Sequence, residues 1–119
     1  MLNMYDISQK DFMLLLNVQD AILKIKSYAA NFSDVDEFYN DTKTFDAVMM
    51  NFVVIGEMSN KLSDHFKSAT AQKINWLKII GLRNIIAHNY FGIDAEEVWQ
   101  IIEDTLIDLE RKLKQILNN

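Results

Sequence analysis

Apolar residues recur every third or fourth position through most of this 119-residue chain, and no proline interrupts them. That spacing buries one face of a helix, whereas a half-buried strand needs strict alternation. From Ser8 to about Phe32, the series Phe12, Leu15, Val18, Ile22, Ile25, Ala29 and Phe32 keeps the rhythm while Lys10, Asp11, Gln19, Lys24 and Lys26 fill the gaps, which predicts one amphipathic helix. The stretch from Ser33 to Asn40 opens on a residue able to cap a helix and places acids in the first turn, so it reads as a short helix or turn. From about Asp41 to Phe66, Phe45, Val48, Met49, Phe52, Ile55, Gly56, Ser59, Leu62 and Phe66 predict a second long helix, with Gly56 as a point of close approach for a neighbour.

After the polar residues from Lys67 to Lys73, the segment from Asn75 to about His88 holds Trp76, Leu77, Ile79, Ile80, Leu82, Ile85 and Ile86, which are apolar nearly all round. Such a helix is covered on several sides, either inside its own fold or by a second subunit. Asp94-Ala95-Glu96-Glu97 has the form of a capping box that launches a last helix with Val98, Ile102, Thr105, Leu109, Leu113 and Ile116 along one face. The expected architecture is all-α, an antiparallel bundle of four to five helices in a single domain spanning residues 1–119.

Without cysteine, the chain has no disulfides, thiolate nucleophiles or Cys-based zinc sites. Its start shows no basic stretch followed by an apolar run, and no window of about 18 apolar residues occurs, so a cytoplasmic protein with no membrane span is expected. A net charge of −5 argues against broad electrostatic capture of nucleic acid, which needs a basic face to displace counterions. Any RNA contact is then local, through cations such as Lys73, Lys78 and Arg83.

One constellation carries chemistry. His88 lies five residues after Arg83, at the end of the apolar helix and just before a loop containing Gly92, with Asn84 four residues from His88 on the same face. Arg83 points roughly 140° from His88 on an ideal helix, so the two meet at one substrate only if the helix ends near Ala87, or if two copies of the segment face each other. RNA supplies its own nucleophile, the ribose 2′-hydroxyl. A histidine that titrates near neutrality suits the proton transfer, and a planar guanidinium suits charge on the phosphate oxygens. Asn84 suits orientation of the imidazole, and Tyr90 suits stacking or hydroxyl donation. No metal or other cofactor is called for. Taken alone, the Arg-x4-His pair is better described as a cation and a helix-end histidine interacting with the macrodipole than as a catalytic pair.

The stretch Trp76–Asp94 resembles the signature of HepT-like proteins, a branch of the HEPN superfamily, in which Arg and a polar residue are followed by three further residues, His, any residue and Tyr. Arg83, Asn84, His88 and Tyr90 fill every fixed position, and Ile55-Gly56-Glu57 resembles the family's Gly-Glu element. The resemblance implies a HEPN fold dimerising through the motif-bearing helix, and a metal-independent endoribonuclease with Arg83 and His88 catalytic and Asn84 and Glu57 supporting. It also implies a toxin in a type VII-like toxin–antitoxin pair, matched with a minimal nucleotidyltransferase antitoxin that transfers AMP to Tyr90. The competing function is a non-catalytic nucleotide- or substrate-binding companion of a nucleotidyltransferase.

For Glu57, pairing with Arg83 and simple solvation are both open. His65, among Asp64, Lys61 and Lys67, is expected in solvent rather than on a metal. Met49, Met50 and Met58 read as core filler, and Asp94, Glu96, Glu97, Glu103, Asp104 and Asp108 as a solvated acidic face.

Overall fold

Short polar side chains decide where the helices begin, because each accepts from one of the orphan N–H groups of a first turn. The computed structural model describes residues 6–118 apart from 90–93, with the backbone alone for 86–89, and no strand occurs among the described residues. α1 (Gln9–Ala29) starts at Ser8, whose hydroxyl accepts from the Asp11 N–H. α2 (Val35–Asn40) is capped by Asp34 rather than Ser33, which donates its hydroxyl to the Glu37 carboxylate instead. Asp41 caps α3 (Thr42–Asn60), Ser63 caps α4 (Asp64–Ala69) and Asn75 caps α5 (Trp76–Ile80). α6 spans Leu82–Asn89. Asp94 accepts from the Glu96 and Glu97 N–H groups to start α7 (Ala95–Gln100), which passes through a π-helical turn (Ile101–Thr105) into α8 (Leu106–Leu117).

The core forms where the apolar faces meet. Leu15, Val18, Ile22 and Ile25 of α1, Val48, Phe52 and Ile55 of α3, and Leu106, Leu109, Leu113 and Ile116 of α8 belong to one buried cluster. α1 and α3 run antiparallel, since Asp11 at the start of α1 accepts from both the N–H (2.9 Å) and the hydroxyl (2.6 Å) of Ser63, just past the end of α3. Phe38 of α2 closes one end of the bundle, its ring 5.8 Å from Phe32, 5.2 Å from Phe45 and 5.3 Å from Trp99 of α7. α8 is tied to α1 by Lys26, whose ammonium donates to the buried Glu110 carboxylate at 2.8 Å.

The all-α bundle has the expected long arms, but the expected helix from Asp41 to Phe66 is two. It breaks at residues 61–63, where Asp11 captures Ser63 and turns it into the cap of α4. The expected helix from Asn75 to His88 is also two, because Gly81 ends α5 before α6 begins. Phe12, placed in the core by its spacing, is 39% exposed, since α1 is covered on one side only. Met50 is 62% exposed on the outer side of α3, so it is not core filler, while Met49 is buried. In the last helix Leu106 takes the buried place expected of Thr105.

Candidate active site

Two helices build the site, and a glycine sets their separation. At Gly56 the α3 backbone passes so close to α5 and α6 that an added Cβ would lie 2.8 Å from Arg83 Cβ, 2.9 Å from the Ile80 carbonyl oxygen and 3.0 Å from the Arg83 nitrogen. Real Cβ atoms do not approach that closely without something shifting, so only glycine fits this crossing. The sequence expectation of close approach at Gly56 is met, and the neighbour is the Arg83 segment itself. α5 is fixed in turn from α4: Trp76 Nε1 donates to the buried Thr70 hydroxyl at 2.8 Å, and that hydroxyl donates to the Phe66 carbonyl.

The residue after Gly56 meets the other end of the same side chain. Arg83 Nη1 donates to Glu57 Oε1 at 3.0 Å, with the two side chains 33% and 43% exposed. The alternative left open for Glu57 is thereby settled in favour of pairing. Half-exposure matters chemically, because the guanidinium is oriented by protein yet open to an incoming anion. Asn84, the next residue of α6, is exposed. Position 88 belongs to α6, which runs unbroken to Asn89, so the helix does not end near Ala87. The His88 side chain and Tyr90 lie outside the described residues.

Grooves of about 480 and 490 Å³ flank the α5–α6 unit, one lined by residues that include Lys67, Trp76 and Leu77, the other by Lys78, Leu82, Ile85, Glu97 and Asp104. Neither is lined by Arg83, and the second carries the carboxylates of Glu97 and Asp104, which repel phosphate. His65 is exposed, as its neighbours suggest, and among the described residues no group of three or more His, Asp or Glu could hold a metal ion. The acidic face is partly self-neutralised: Asp108 pairs with Lys112 at 2.8 Å and Arg111 at 2.7 Å, which hold its carboxyl below the usual range, and Asp104 accepts from Gln100. Among the described residues no helix is long and apolar enough to cross a membrane.

A helical bundle of this order, with its Arg-x4-His helix packed against the long α3, has the architecture of a HEPN domain. The chain belongs to the HepT-like family: the family described as Ribonuclease HepT-like matches residues 18–116. It is 28% identical to the Probable ribonuclease HepT of Thermococcus cleftensis over 109 residues, which are 92% of this chain and 96% of the relative. It is also 32% identical over 84 residues to MJ0127 of Methanocaldococcus jannaschii (71% of this chain, 69% of the relative). A second protein of that organism, MJ1380, is 31% identical over 81 residues (68% and 73%), and both are provisionally named RNases. No solved structure matches the chain.

Proposed function

We propose that this member of the HepT-like ribonuclease family is a cytoplasmic toxin that cuts RNA internally and without a metal ion, at a site completed by two copies of the chain. The observation that carries the reading is Arg83, oriented by Glu57 at the surface beside an exposed Asn84 and on the same helix as position 88. In the reaction, His88 takes the proton from the ribose 2′-hydroxyl as O2′ attacks phosphorus. The P–O5′ bond breaks, the 5′-oxygen leaves with a proton drawn from solvent water, to which His88 then releases the one it took, and a 2′,3′-cyclic phosphate forms. Arg83 stabilises the charge that builds on the non-bridging oxygens, and Asn84 holds the imidazole or a phosphate oxygen.

The need for a second copy follows from helix geometry. Positions 83 and 88 leave one continuous helix about 140° apart, so a single chain does not aim both at one phosphodiester, whereas two copies facing across a two-fold axis do. Support also comes from Leu77, an apolar side chain of α5 that is 83% exposed and suited to burial against a partner. The partner that restrains the toxin is a minimal nucleotidyltransferase antitoxin in a type VII-like pair, adding AMP to Tyr90. That adduct, seven positions after Arg83 in the sequence, would add bulk and negative charge to the motif and exclude substrate phosphate.

Cleavage of defined RNAs in the presence of EDTA tests the reading. Wild-type protein should cut with chelator present, and Arg83→Ala and His88→Ala should each lose at least about 100-fold in rate. Activity that EDTA abolishes, or that survives in both variants, rules the mechanism out.

A further inference from the structure

We infer that the groove of about 480 Å³ beside α5 is a subsite for an RNA nucleotide next to the cut, with Lys67 meeting its phosphate and Asn75 its base. The inference rests on the reading of Arg83 as the cation at the cut phosphate. Ile80 joins groove and arginine, because it lines the groove while its carbonyl oxygen packs on the Gly56 crossing that also holds the base of Arg83. Lys67 is brought to the same end of α3. Its ammonium donates to the Asn60 carbonyl at 3.4 Å, one turn after Gly56 and so about 6 Å further along the helix axis. That step is of the order of one nucleotide along a single strand.

Charge favours RNA here over the groove on the other side of the α5–α6 unit. Among the described residues no carboxylate lines the groove beside α5, whereas the other carries Glu97 and Asp104. The one ion pair of Lys67 is a loose contact with Asp64 at 3.9 Å, and that carboxylate is fully in solvent, so a phosphate displaces it at little cost. Ile74, Trp76 and Ile80 give the groove an apolar lining against which a base can lie. Asn75 supplies the polar contact, and its role as a helix cap decides which one. Its Oδ1 accepts from the Lys78 N–H at 3.2 Å, which leaves Nδ2, without a partner among the described residues, to donate to an acceptor such as a base carbonyl. The competing occupant is a second copy of the chain, since Leu77 also lines the groove.

Binding of the full chain to a short single-stranded RNA, 2′-O-methylated throughout so that it cannot be cut, tests the subsite. Lys67→Gln should flatten the slope of log affinity against log salt by about 0.7, the share of one single-strand phosphate. Lys43→Gln, an exposed cation at the other end of α3, should leave the slope as in wild type. Asn75→Asp keeps an oxygen for the Lys78 N–H, so the cap survives, but replaces the amide donor with a carboxylate oxygen. In a series of oligonucleotides made abasic at each position in turn, one should bind wild type roughly 10-fold more weakly than the complete strand, and Asn75→Asp should no longer tell the two apart. A 4-thiouridine at that position should cross-link within residues 67–80. An unchanged slope in Lys67→Gln, a wild type indifferent to every abasic position, or cross-links elsewhere, as expected if a second copy fills the groove, would overturn the subsite. A wild-type protein that binds in this way yet cleaves no unmodified RNA would instead overturn the ribonuclease reading and leave the subsite standing.

Discussion

Arg83 owes its place to two neighbours on another helix, and only one of them could be anticipated. Gly56 was legible because a lone glycine in a helical pattern has few uses other than close packing. The pairing of Glu57 was not, since a carboxylate on the outer side of a helix looks the same in sequence whether or not a cation faces it. Gly56→Ala should lose about 1–3 kcal/mol in chemical denaturation, because the added methyl meets backbone and a Cβ that cannot rotate away. It should also impair cleavage, since α6 must shift to make room. A variant as stable and active as wild type would mean that the crossing is looser than its distances imply. Asp11 was read as a surface filler and is instead buried, holding Ser63 by two hydrogen bonds. Asp11→Ala should cost about 1.5–3 kcal/mol by the same measurement, as it leaves buried donors without their charged acceptor.

Periodicity gave the helices, and long-range contacts gave their ends. Residues 61–63 contain neither glycine nor proline, so the only local sign of the break between α3 and α4 is Ser63, a residue able to cap a helix. The break is imposed by Asp11, 52 positions away in sequence, which makes a cap of Ser63. Gly81 does mark the junction of α5 and α6, but the apolar run across it reads as continuous. The same unit bears on assembly. Leu77→Asp places a charge on a side chain that the single chain leaves in water, so its helix content by circular dichroism should match that of wild type. In sedimentation the variant should run as a monomer where wild type runs as a dimer. A variant that stays dimeric would exclude an interface through α5.

At the level of the whole chain, the bundle was readable because apolar spacing and the lack of proline leave few alternatives, and its candidate motif stood out because Arg83, Asn84, His88 and Tyr90 fall at fixed intervals. What spacing did not reveal is how the C-terminal arm meets two different surfaces. Trp99 on α7 packs against Phe38, while Glu110 on α8 reaches Lys26 on α1. Between them lies the π turn at Ile101–Thr105, which adds a residue to the winding of an otherwise regular helix. Deleting one residue there would restore an α-helix with the phase nearly kept, whereas inserting one residue after Leu106, in the regular α-helix beyond it, would rotate everything downstream by about 100°. Leu109, Leu113 and Ile116 would then swing out of phase with the core, and a strongly lowered or absent thermal transition is the expected result. The small winding defect thus acts as a phase adjuster, taking up one residue without turning the arm away from either docking surface.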